Sequence, residues 1–218
     1  MTDIPSSDFS AEDLRRLARE RLAQGPADDP LAAGETPRIG DFALNGPAPD
    51  ALTAAGARPA AVLASIVARR EGLSVLLTQR AAHLRTHSGQ VAFPGGKIDR
   101  GETALEAALR EAREEIGLEA RYVEPLGWLD PYLTRTGFRV APLLALVDPA
   151  FTLAINAHEV ADVFEAPFAF LMNPANHRLD ERDWHGTKRK FYAMPYGERY
   201  IWGVTAGIIR NLYARLFS

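Results

Sequence analysis

The sequence predicts an α+β chain folded as an α/β/α sandwich on a mixed β-sheet. Two observations point there. From about residue 60 onward, short apolar runs rich in Val, Leu and Ile alternate with turn residues, the pattern of strands. Helical patterns accompany those strands, an order that suits helices packed on the faces of a sheet. With 218 residues, 47% of them hydrophobic and 24% charged, the chain has material for one good-sized core, or one domain with an arm.

Residues 1–35 are expected to form an N-terminal helical arm and linker, with the main domain over 36–218. Ser10 is placed to cap a helix, and Phe9 and Leu14 to staple across the cap. Leu14, Leu17, Ala18 and Leu22 recur at helical spacing until Gly25-Pro26 stops the run. Such a helix docks on the body or on a partner. The segment GPADDPLAAGETPR reads as linker. Next, 60–69 and 73–80 form a hairpin turning at Glu71-Gly72. The loop AAHLRTHSGQ and the turn VAFPGG lead into the strongest helix, TALEAALREAREEIG. Further strands are expected near 121–129, 139–147, 160–166 and 187–194, and a last helix from about Val204 to Phe217.

No run approaches the roughly 18 apolar residues of a membrane helix. The start, MTDIPSSDFSAEDL, lacks the basic and apolar regions of a secretory signal, and the final RLFS is not a peroxisomal address. A cytoplasmic setting without a membrane partner is therefore expected. The absence of cysteine excludes disulfides, thiolate ligands and a cysteine nucleophile. A net charge of −3 argues against a nucleic-acid binder, so a polyanionic substrate would be drawn by a local basic cluster or by metal. The five histidines show no ligand spacing; His83 and His87 are four apart, but in a loop.

The chemistry concentrates on the helix over 103–116. At about 100° per residue, Glu111, Glu114 and Glu115 share one arc. Leu105, Leu109, Ala112 and Ile116 are expected to form the core stripe, with Glu106, Arg110 and Arg113 on a solvated side. Ala107 and Ala108 fall near the acidic face, where small side chains would leave room for a ligand. Like charges on one helical face repel, and two of these sit at the end disfavoured by the helix dipole. A hard divalent cation would compensate them. A plain surface helix with Glu106–Arg110 and Arg110–Glu114 pairs is the alternative that the helix by itself leaves open.

The preceding loop shifts that balance. Gly96, five residues, Glu102, seven residues, then Arg110-Glu111-Ala112-x-Glu114-Glu115-x-Gly117-Leu118 resembles the Nudix box at every fixed position. Ala112 stands where a larger aliphatic is commoner. The resemblance, over roughly residues 60–210, implies a Nudix-type sandwich and hydrolysis of a nucleoside diphosphate linked to another moiety. It also implies Mg²⁺ or Mn²⁺ held by Glu111, Glu114 and Glu115 with the Gly96 carbonyl, and Arg110 pairing with the glutamates.

Immediately upstream, Leu76-Leu77-Thr78-x-Arg80-Ala81, then Arg85, Gly89 and Phe93-Pro94-Gly95-Gly96, is similar to the extra motif of the coenzyme A pyrophosphatase branch. Arg80 and Arg85 carry fork-shaped donors suited to phosphate oxygens, and the glycines allow close backbone approach. The implied substrate is coenzyme A or a derivative, cut to 4′-phosphopantetheine and 3′,5′-ADP. Weaker candidates are Glu159, as a fourth carboxylate acting as ligand or base, and Phe138, in the Thr134–Phe138 loop, as a stacking platform for a base. Both have plain alternatives, an exposed loop glutamate and a packed aromatic. The segment from Tyr200 to Ala206 also resembles this branch. Three readings stay open beside coenzyme A: the same chemistry on ADP-ribose, NADH, a dinucleoside polyphosphate or a nucleoside triphosphate; a non-catalytic nucleotide sensor; and assembly mediated by the arm. A homodimer is open as well.

Overall fold

Strand β2, Arg58–Arg69, is the axis of the molecule. The computed structural model describes residues 9–25, 39–46, 56–83, 89–184 and 186–218. Strand β2 turns at Arg70-Glu71 into antiparallel β3, Gly72–Arg80, the expected hairpin. Along its other edge it pairs in parallel with β8, Phe138–Val147, from Arg58↔Phe138 to Val67↔Val147. The short strand β5, Gly95–Lys97, joins the start of β2.

The remaining strands fill the edges. They are β1, Ile39–Gly40; β4, Val91–Ala92; β6, Val123–Trp128; β7, Tyr132–Leu133; and β9, Val160–Pro167. Among the described residues the larger sheet is thus nine-stranded, with main order β1-β7-β8-β2-β3-β4, and mixed. A separate antiparallel sheet holds β10, Arg178–Trp184; β11, Thr187–Tyr196; and β12, Arg199–Trp202.

Both faces of the large sheet are covered, and β2 shows how. Ala60, Ala64 and Ile66 enter one buried cluster, whereas Ala61, Leu63 and Val67 enter the other. This is the two-residue period of a strand buried on both sides. The first face is covered by α1, Ala11–Arg21, by α5, Val204–Phe217, and by the small sheet, with the short α4, Phe168–Leu171, at its margin. A one-turn helix α2, Phe42–Asn45, sits on β11. The second face is covered by α3, Ala104–Ile116. The expected α/β/α sandwich is therefore the observed one.

Helix α1 begins as its sequence directs. Ser10 and Asp13 form a reciprocal capping box, and Leu14, Leu17 and Ala18 are buried. Arg15 reaches across to Glu124 on β6 at 2.8 Å. Helix α3 also opens on a capping box, Thr103 with Glu106, and stops at Gly117, whose φ of 73° lies in the left-handed region.

The core stripe of α3 departs from the expected one. Leu105 is 37% exposed and Leu109 only half-buried, whereas Ala104, Ala107, Ala108, Ala112 and Ile116 are buried against the sheet. Ala107 and Ala108 are packing residues and leave no space for a ligand. Their small side chains let the helix lie close on β2 and β5, so burial follows the approach of the backbone rather than side-chain size.

Candidate active site

Two surfaces meet at the C-terminal half of α3. One is the turn from β4 into β5, where Gly95 and Gly96 pair with Val62 and Ala61 of β2. A Cβ on Gly96 would overlap the Glu111 carboxylate, so only glycine lets Glu111 lie flat on this strand. The second surface is the loop after β8. Its Ala154 and Asn156 amides donate to the carbonyls of Ile116 and Glu115 at 2.9 Å each, which straps it to the helix end.

Glu115 is the most enclosed of the carboxylates, at 3% exposure. It accepts a hydrogen bond from the Gly95 amide at 3.2 Å and faces Arg80 Nη1 at 3.9 Å. Burial, with Glu111 and Glu159 nearby, pushes its carboxyl up to about 7 against the pull of the Gly95 amide and Arg80. Glu111 is also raised, chiefly by burial, with Arg110 opposing and Glu114 and Glu159 adding repulsion. Glu111, Glu114, Glu115 and Glu159 thus form one negative field. Glu159 is held by Asn156, whose Nδ2 donates to its Oε1 at 3.1 Å.

Arg110 organises the acidic rim. Its Nε donates to Glu102 at 2.8 Å, its Nη1 to Glu111 at 2.9 Å and Glu114 at 3.1 Å, and its Nη2 to the Lys97 carbonyl at 3.1 Å. With Arg110 holding Glu102, Glu111 and Glu114, no group of three acidic or histidine side chains among the described residues is gathered closely enough to grip an ion.

The chemistry of the donor set nonetheless fits a hard divalent cation. It offers oxygen alone, burial and the neighbouring glutamates outweigh Arg80 at the Glu115 carboxylate and leave it short of positive charge, and the bare Gly96 backbone lies against Glu111. Glu111, Glu114, Glu115 and the Gly96 carbonyl are the groups that would hold it.

Of the substrate candidates, Arg80 ends β3 beside Glu115, and its buried Nε has no hydrogen-bond partner among the described residues. Gly89 lies next to it, its amide donating to the Arg80 carbonyl at 3.2 Å. Arg85 lies outside the described residues. Phe138 is not brought to the carboxylates. It packs against the cluster on the sheet face away from α3, with the Arg58 guanidinium 4.0 Å from its ring centroid. Of the segment from Tyr200 to Ala206, Ile201, Thr205 and Ala206 are buried and Tyr200 is exposed.

Two supports were not anticipated. Asn156 carries the strap that presents Glu159; the run Asn156-Ala157-His158 held the signal, since His158 donates its amide to Asn156 Oδ1 at 3.2 Å in an Asx turn. Arg199 of β12 bonds both Gln79 and Asp162, next to the register shift where Arg80 comes opposite Val160. Irregularities of this kind re-aim the side chains that follow them.

Comparison with known proteins gives a consistent result. Residues 57–189 match the family model described as the NUDIX domain. A Yersinia enterocolitica protein named "Uncharacterized Nudix hydrolase NudL" is 42% identical over 175 residues, covering 80% of this chain and 89% of the relative. Its namesake from Escherichia coli K12 is 41% identical over 156 residues, covering 71% and 81%. A solved C. elegans Ap4A hydrolase is 22% identical, with a TM-score of 0.43 over 50% of this chain and 80% of that one.

Proposed function

The chain belongs to the Nudix family and is a hydrolase of pyrophosphate bonds, and from that premise we propose that its substrate is coenzyme A or a derivative, cut to 4′-phosphopantetheine and 3′,5′-ADP. The observation that carries this reading is the position of Arg80. The upstream motif that resembles the coenzyme A branch puts this arginine at the end of β3, and its guanidinium stands 3.9 Å from the buried Glu115. An arginine fork of the kind suited to phosphate oxygens and the acidic helix therefore lie side by side.

Bound Mg²⁺ or Mn²⁺ would neutralise the diphosphate and make a coordinated water acidic enough to act as a nucleophile. The residues of the chain do the rest. Glu111, Glu114 and Glu115 would supply the oxygen ligands, and the Gly95 amide and Arg110 fix how those carboxylates lie. Arg80 offsets charge on the phosphates, a preorganised electrostatic contribution. Glu159 faces the same field from the opposite loop and is the carboxylate available to accept a proton from the attacking water.

The test is turnover of coenzyme A, ADP-ribose, NADH and a dinucleoside polyphosphate by purified protein with Mg²⁺ or Mn²⁺, with products identified by mass. Coenzyme A should give the highest kcat/KM and yield 3′,5′-ADP. A better rate with another diphosphate overturns the substrate and leaves the hydrolase. Ligand binding without turnover by any of them would favour a nucleotide sensor.

A further inference from the structure

Strand β10 is an edge. In the order β10-β11-β12 its inner side pairs with β11 from Arg178↔Ala193 to Trp184↔Thr187, and no strand among the described residues pairs with its outer side. An exposed edge is a template for another strand unless charge or covering blunts it. Here the charges instead select a partner.

We propose that β10 pairs with β10 of a second copy of this chain, antiparallel about a twofold axis at Glu181. Two identical antiparallel strands in one continuous sheet are related by an axis normal to it, so a residue meets one of its own parity. Three registers centre on the middle of β10. An axis at Asp180 sets Arg178 against Arg182 twice and Asp180 against itself. An axis at Arg182 sets Glu181 against Asp183 twice and Arg182 against itself. Only the axis at Glu181 sets Asp180 against the partner's Arg182, and Arg182 against the partner's Asp180. Opposite charges placed directly across strands stabilise and like charges destabilise, so the sequence RLDERDW selects this register.

The local structure suits it. Asp180 and Arg182 lie on the same face as Phe191, Tyr200 and Trp202, away from Met194 and Ile201, which pack into the core. Tyr200 donates to Asp180 Oδ2 at 2.6 Å, which leaves Oδ1 for a partner's guanidinium. Arg182 lies 5.9 Å from the Trp202 ring centroid and has no carboxylate within ion-pair distance among the described residues. Glu181, the one residue set against itself, already has Lys188 at 3.0 Å and Lys190 as its neighbour on β11. Leu179, 52% exposed, would lie opposite the partner's Asp183.

Sedimentation equilibrium of the full chain from about 5 to about 500 µM, a range suited to a small interface, tests this. The mass should rise from 23.9 kDa towards twice that value. Asp180→Arg and Arg182→Asp each place like charges across the axis and should weaken association at least about 10-fold. Mixed one to one, they present opposite charges at both positions and should associate as tightly as the natural chain. That recovery separates a broken interface from a misfolded one. A natural chain that stays monomeric throughout overturns the proposal, as it would if a segment of the same chain covered the strand. So does dimerisation that neither single variant weakens, or a mixture that fails to recover.

Discussion

Gly96 and Glu111 occupy one space: a Cβ at position 96 would overlap Glu111 Oε1 and Cδ and stand 2.7 Å from Oε2. The obstruction is the tip of a flexible side chain, so Gly96→Ala should fold with Glu111 swung to another rotamer. We expect kcat/KM to fall about 100-fold or more while the melting midpoint moves by only a few degrees. Kinetics beside a melting curve checks this, and retained activity would mean that Glu111 need not lie on the strand.

Gly95 makes the opposite case. Its φ of 155° is accessible chiefly to glycine, and an added Cβ would meet the backbone, the Ala61 carbonyl and Val62 Cα at 2.6 Å. Backbone cannot swing aside, so Gly95→Ala should cost about 3 kcal/mol or more of stability. Chemical denaturation measures it; a cost below about 1 kcal/mol would show that the β5–β2 pairing yields.

Glu111→Gln keeps shape and removes charge. If the carboxylate serves the chemistry, turnover should drop about 100- to 1000-fold with melting unchanged. Near-normal turnover in a folded variant would sink the mechanism proposed for the acidic helix.

Away from the site, Arg69 and Ser74 both donate to Glu165, with Arg69 Nη2 at 2.6 Å. Burial pushes the Glu165 carboxyl up, but these bonds outweigh it and hold the group below its ordinary 4.5. A folded value below the unfolded one stabilises at pH above the unfolded value and loses that contribution as pH falls through the folded one. Glu165→Gln should thus cost about 1 kcal/mol at pH 7, discounted for the partly exposed guanidinium, and little near pH 2. Parallel melting-midpoint profiles over that range would rule out a role for the ion pair.

What the sequence could carry was local. Ser10 with Asp13 and Thr103 with Glu106 are complete helix starts within four residues, and the 3.6-residue period put Glu111, Glu114 and Glu115 together without tertiary information. Which side of α3 faces the sheet was a tertiary matter. Leu105 is larger than Ala107, yet the close approach to β2 buries the alanine and leaves the leucine at the rim. Strand β10 was unreadable for a related reason: RLDERDW has no apolar alternation, because both of its faces are largely solvated and β11 supplies the pairing. Phe138 sits one strand from the site in sequence terms but on the far face, a distinction that parity alone, without the register of β8, does not give.

The N-terminal helix, expected as an arm that docks on the body or a partner, bears on stability. Leu14 is fully buried in the cluster that holds Phe168 and Phe217, and Phe9 stacks on Phe168 with ring centroids 5.6 Å apart. An appendage with its own stability would lose little from a truncated contact, whereas a core layer would lose a buried leucine and gain a cavity. Leu14→Ala should therefore cost about 3 kcal/mol and lower the midpoint by roughly 10 °C. Arg15→Ala, which removes the partly exposed pairs with Glu124 and Glu12, should cost under about 1 kcal/mol. If instead the two variants melt alike and close to the parent, residues 1–35 form a separable unit, and the division at residue 36 marks a true domain boundary.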